Sequence, residues 1–311
     1  MATGSFTTST LGPDVTVSVH LRFAAYTICL LAANVSVVRA LVEFSQRDVT
    51  VSHAILVPFV SVGLIYANRT AIFSSARTTP SLGLPIIVAG IGLSLVGQFA
   101  VGDETRTLSV SVAGLALSWI GGYILFYGAA AARAALFPLA FLVFMIPPPD
   151  AAIDVATQFL KTGSTETVAR LFTLTGTPYH RQDFVFSLPD LTIEVADECS
   201  GIRSSIALLL TSLIAGHSQL KSPWAKVILA LAVLPVALLK NAVRIVALTL
   251  LAMHVDPSFL TGQLHHEGGV VFFLLALGLM VPVFLVLQRL EATQSLRPSP
   301  SLNASAGALR E

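Results

Sequence analysis

The stretch GGVVFFLLALGLMVPVFLVLQ, Gly268 to Gln288, contains no Asp, Glu, Lys or Arg. Coiled as a helix at about 1.5 Å per residue it reaches roughly 30 Å, the thickness of a bilayer's hydrocarbon core. Working back along the chain, the pattern repeats. Low-charge stretches near spanning length run from Phe23 to Val42, Val51 to Asn68, Leu82 to Val101, Leu108 to Gly128, Ala134 to Ile146, Ile202 to Gln219 and Ala225 to Met253. With the first they predict about eight transmembrane helices, the Ala134 stretch being short and the Ala225 stretch long and interrupted by charge. The expected fold class is an all-α polytopic membrane protein.

Composition agrees. Of 311 residues, 54% are hydrophobic and 11% are Asp, Glu, Lys or Arg, against roughly 25% charged in a soluble domain. A formal charge of +1 offers no basic surface for nucleic acid, so the first partner is the lipid bilayer. Two cysteines, Cys29 and Cys199, cannot make a disulfide framework. No CxxC is present, and His266-Glu267 lacks a second histidine where Val270 stands, so neither a metal nor another cofactor is expected.

The long segment 147–200 separates the fifth and sixth stretches, opened by the helix stop Pro147-Pro148-Pro149. Ala152, Val155, Ala156, Phe159 and Leu160 recur at helical spacing, predicting an amphipathic helix on the membrane surface. Phe184, Phe186 and Leu188, then Leu191, Ile193 and Val195, alternate across Pro189-Asp190, predicting a β-hairpin. The domain reading is a cytoplasmic tail, 1–22, a membrane domain, 23–290, carrying segment 147–200 on its extracytoplasmic side, and a disordered cytoplasmic tail, 291–311, rich in Ser, Pro and Ala. With both termini inside, the inner segments hold Arg22, Arg69, Arg77, Arg133, Lys221, Lys226, Arg289, Arg297 and Arg310, and the short outer loops only Arg39, Arg47 and Arg106. That asymmetry favours a multi-pass cell (inner) membrane protein with both ends cytoplasmic.

This topology brings three chemically unusual features to the outer face. Cys199, followed by Ser200 and Gly201, opens the sixth stretch. Unpaired amides at a helix N-terminus favour a thiolate and can hold an oxyanion, and Gly201 permits close backbone approach. Asp197 and Glu198 oppose the thiolate, so Arg203 or another cation has to offset them. Arg244, in Lys240-Asn241-Ala242-Val243-Arg244, is a guanidinium inside an apolar stretch, costing roughly 2.5 kcal/mol or more without partners. Asn241 lies one helical turn before it. His265 and His266 stand at the mouth of the last stretch, where an imidazole can carry a proton. Cys29, with no polar neighbours in sequence, is expected to be a small buried hydrophobe.

Together, Glu198-Cys199-Ser200-Gly201-Ile202-Arg203-Ser204, Asn241-Ala242-Val243-Arg244-Ile245, and His265 four residues before Gly269 resemble the exosortase/archaeosortase family over about residues 23–290. The resemblance implies a membrane-embedded cysteine protease or transpeptidase that cleaves the C-terminal sorting signals, PEP-CTERM-like, of secreted proteins through a thioester. Such a tripartite signal comprises a recognition motif, a hydrophobic helix and a basic end. On that resemblance Cys199 is the nucleophile, Arg244 the cationic stabiliser and His265 the acid/base. His266 is a rival for the last role, and Ser200, Gly201, Asn241 and Arg203 are supporting residues. The competing reading is a transporter or channel in which Lys240, Asn241 and Arg244, beside Pro235, form an anion site on a broken helix.

Overall fold

The computed structural model describes residues 13–48, 50–74, 76–99, 103–260 and 269–295; the side chains of residues 13–16, 198, 199, 257, 260 and 295 lie outside that description. The chain is mostly helical and divides into two compact units, 1–153 and 154–311. By length and apolarity four helices can cross a bilayer, Pro80–Phe99, Glu104–Ala134, Pro223–His254 and Gly269–Gln294, or up to six if two bent pairs each count as one crossing. The protein is thus a multi-pass membrane protein with a small sheet, with fewer full crossings among the described residues than eight.

The first unit contains α1 (Pro13–Ala33), α2 (Val35–Arg47), α3 (Val57–Ala67), α4 (Arg69–Phe73), α5 (Pro80–Phe99), α6 (Glu104–Ala134) and α7 (Leu136–Phe141). The expected Phe23–Val42 crossing is instead two helices bent by 73° at Asn34. Asn34 Nδ2 donates back to the Leu30 carbonyl at 3.0 Å while its Oδ1 accepts from Ser94 Oγ at 2.9 Å. Beyond the bend, α2 buries Val37 and Leu41 and exposes Arg39, Glu43 and Arg47, a pattern suited to an interface rather than to lipid interior. The Val51 stretch starts as a turn, tied by Asp48 accepting from the amide and hydroxyl of Thr50, and leaves only 11 helical residues in α3. The Ala134 stretch is divided among the end of α6, α7 and a 3-10 turn, Leu142–Met145.

Helices α5 and α6 pack through small residues. Gly83, Gly90 and Gly97 recur every seven positions; Gly83 faces Leu125 of α6, Gly90 faces Gly114 and Ser118, and Gly97 faces Ser111, and a Cβ on Gly83 would stand 2.6 Å from Leu125 Cα. This is close-backbone packing of a kind that membrane helices use when lipid supplies no hydrophobic drive between them. The fourth stretch ends at Gly128, where α6 kinks at φ 87°. Cys29 is exposed, contrary to the burial expected of it, because it lies on a face of α1 that none of the described residues covers.

The second unit holds most of α8 (Asp150–Leu174), then β1 (His180–Gln182), β2 (Val185–Ser187), β3 (Thr192–Glu194), α9 (Ile202–Gln219), α10 (Pro223–His254) and α11 (Gly269–Ser295). The predicted amphipathic helix is real but longer. Ala152, Val155, Ala156 and Phe159 are exposed, while the following stripe, Leu160, Ser164, Thr165, Val168 and Phe172, is buried. The predicted hairpin is β2–β3, with Phe186 opposite Ile193. A third antiparallel strand, β1, joins it with Arg181 opposite Phe186, after a turn through Asp183 at φ 51°. Phe186, Leu188 and Val195 of the sheet region pack with Val168 and Phe172 of α8 and Ala242 and Val246 of α10.

Helices α9, α10 and α11 share a core of Leu208, Leu229, Val233, Ala276, Met280 and Leu287. At one end, Glu291 accepts from the backbone amides of Lys221 and Ser222 at 3.1 and 2.6 Å. Hence α11 runs to Ser295, past the expected tail boundary at 291. Helix α9 carries Arg203, Ser204 and Ser205 at one end and His217, Ser218 and Gln219 at the other, which shortens its apolar middle.

Candidate active site

The site is built where the sheet hands the chain to α9. Val195, 1% exposed, anchors the end of β3; the backbone then passes through a 3-10 turn, Asp197–Ser200, into Gly201. Gly201 is left-handed, φ 76° and ψ 18°, and is the N-cap of α9 without a capping side chain. Its carbonyl accepts from Ser204 Oγ and Ser205 Oγ, both at 2.9 Å, and from the Ser205 amide at 3.0 Å. The turn is therefore fastened to α9 through one carbonyl. On the other side Asp197 is paired with Lys161 of α8 at 2.9 Å.

Helix lengths bring the second motif back to this turn. Helix α9 has 18 residues, about 27 Å, and Lys240 lies roughly 26 Å along α10. A short connection, 220–222, joins them. Lys240 and Asn241, 3% and 1% exposed, therefore return level with Gly201. The approach is close: a Cβ on Gly201 would stand 3.0 Å from Asn241 Oδ1 and 3.3 Å from Lys240 Nζ. Lys240 Nζ donates to Ser204 Oγ, and Asn241 Nδ2 donates to Ser164 Oγ of α8 at 3.0 Å. Arg244, half-buried, follows one turn later and acts electrostatically on Lys240. Ser200 Oγ is buried without a hydrogen-bond partner among the described residues.

Of the residues singled out in the sequence, Ser200, Gly201 and Asn241 come together, with Arg244 next along α10. The backbone of Cys199 is within the 3-10 turn, and its side chain is outside the described atoms. His265 and His266 lie outside the described residues. Arg203 is exposed, and the cation offsetting Asp197 is Lys161, which sequence order hid because the two lie on different elements. Ser164 and Ser204 are additional members, and Lys240, expected only in the competing anion-site reading, joins them. The signal for Lys240 was present: it precedes Arg244 by four residues on an apolar helix, and like charges at that spacing repel unless an anion or a polar partner joins them. Helix α10 is continuous through Pro235, so no broken helix forms at these residues.

A turn bearing one motif thus seats on the helix bearing the next, some forty residues on. A family model, transmembrane exosortase, matches residues 45–282. The chain belongs to this family. The match includes the turn, Lys240 and Arg244 of α10 and the segment that holds the two histidines. Exosortases are membrane-embedded peptidases or transpeptidases acting on secreted proteins with C-terminal sorting signals. No curated protein and no solved structure matches the chain.

Proposed function

We propose that this protein is a cysteine peptidase/transpeptidase that cleaves PEP-CTERM-like C-terminal sorting signals at the outer face of the cell membrane. The observation carrying this reading is the seating of the Cys199–Gly201 turn on Lys240 and Asn241, one helical turn from Arg244. A glycine at φ 76° against the buried Asn241 and Lys240 side chains is consistent with a nucleophile-bearing turn set near a cation and the amides that start α9. That is the combination acyl transfer requires.

In the mechanism, the substrate's apolar tail helix lies in the bilayer and presents its scissile peptide at the interface. Anchoring in two dimensions supplies proximity. The Cys199 thiolate attacks the carbonyl carbon and forms the C–S bond. The oxyanion is met by Arg244 and by amides at the start of α9. The C–N bond breaks as His265 protonates the departing amine, leaving a thioester. Water or an amine acceptor then attacks that thioester and releases the sulfur.

Sidedness is supported by the α9–α10 hairpin. Lys221, Lys226 and Arg289 gather at the end where Glu291 meets the connection, and the turn at Gly201 lies about 27 Å away at the other. Basic residues favour the cytoplasmic end, which supports a site on the outer side. The test is processing of a co-expressed substrate by Cys199→Ala. Cleavage should disappear while membrane insertion persists; retained cleavage removes Cys199 from the mechanism.

A further inference from the structure

Resting on Cys199 as nucleophile, we propose that Lys240 is a positioning residue of this site: the buried counter-cation that holds the Cys199 sulfur as a thiolate. Lys240 is 3% exposed, and its ammonium lies against Gly201, two residues from the cysteine. Its hydrogen-bond acceptor is a neutral hydroxyl, Ser204 Oγ, which cannot offset a buried charge. The charged group acting on it is Arg244, of the same sign. Among the described residues no carboxylate is within ion-pair range of Lys240; the acid nearest in sequence with a described partner, Asp197, belongs to Lys161. A buried ammonium held by a neutral hydroxyl and packed on a turn that carries a thiol calls for an anion there.

The groups around the sulfur-bearing turn set the balance. Lys240 and Arg244 from α10 favour the thiolate. Glu198 in the turn disfavours it, Asp197 is offset by Lys161 of α8, and Arg203 of α9 is exposed. The step is a proton loss: the S–H bond breaks, the electron pair stays on sulfur and the proton leaves to solvent. Ser204 fixes the ammonium by accepting from Lys240 while donating to the Gly201 carbonyl. The same hydroxyl thus couples the cation's position to the turn's.

The experiment uses the purified full chain carrying Cys29→Ser, which leaves Cys199 as its single thiol, and follows alkylation by iodoacetamide against pH. The inflection should fall below the ordinary thiol value of about 8.5. In Lys240→Met it should rise by at least about one unit, slowing alkylation at neutral pH roughly tenfold, and Lys240→Arg should keep it low. An inflection at or above about 8.5 in the parent, which needs no further variant, overturns the proposal. So does an unchanged inflection in Lys240→Met. The two readings separate cleanly. Processing that survives Cys199→Ala refutes the nucleophile, whereas processing lost in Cys199→Ala with an inflection indifferent to Lys240 refutes only the counter-cation.

Discussion

Replacing Gly201 by alanine isolates the contact on which the site is built. At φ 76° a residue with a Cβ is strained by about 1–2 kcal/mol. The new methyl would stand 3.0 Å from Asn241 Oδ1 and 3.3 Å from Lys240 Nζ, so two buried polar groups must yield by a few tenths of an ångström, an overpacking cost of about 1–3 kcal/mol. The expected loss is about 2–5 kcal/mol. A control lies in the same helix: Gly216 is buried in regular α9 and its added Cβ would meet Leu229 Cδ2 at an ordinary 3.4 Å. Gly216→Ala should instead be neutral or stabilising by about 0.5–1 kcal/mol. In thermal unfolding in detergent, followed by tryptophan fluorescence, the midpoint should therefore fall in Gly201→Ala and hold or rise in Gly216→Ala. Processing by Gly201→Ala should also drop by about tenfold or more, since displacing the turn misaligns the nucleophile. If Gly201→Ala matches the parent in both midpoint and processing, the close approach has no functional weight and the reasoning fails.

Arg244→Lys should lose processing nearly as fully as Arg244→Ala, because an ammonium lacks the guanidinium's planar fork; near-normal turnover in the lysine variant reduces Arg244 to a point charge. Separate alanine substitutions at His265 and His266, read by substrate cleavage in cells, should cost more at His265. Gly90→Leu should lower the yield of folded, monodisperse protein, since the added side chain meets the α6 backbone at Ser118 and forces α5 and α6 apart.

Period and charge made several parts of this structure legible in advance. The strongest apolar runs became α5, α6, α10 and α11, because uninterrupted apolar length is a property of the residues themselves. The alternation of Phe184 to Val195 found its hairpin for the same reason. Where a polar residue redirects the chain through a distant partner, the reading broke down. Asn34 bends the first stretch by bonding Ser94 sixty residues on, and Asp48 holds a turn where a crossing was expected to start. Strand β1 escaped because His180–Gln182 has no apolar alternation of its own and pairs only through β2. At the site, the motif residues were visible as rare polar types at a helix start or inside an apolar run. Lys161 and Ser164 were not, since they look like the solvated face of a surface helix until α8 is seen packed on the turn and on α10.

The pairing of Gly201 with Lys240 and Asn241 makes the α9–α10 hairpin a measuring device. One residue inserted in α9 lengthens that arm by about 1.5 Å and turns its start by about 100°, swinging the thiol-bearing turn off the cationic face of α10. A compensating insertion in α10 restores the height, and only a change close to a full turn restores the facing. Lengths in this hairpin are consequently locked to one another while the identity of its lipid-facing side chains is free, so variants should tolerate substitution along both arms far more readily than a single deletion in either.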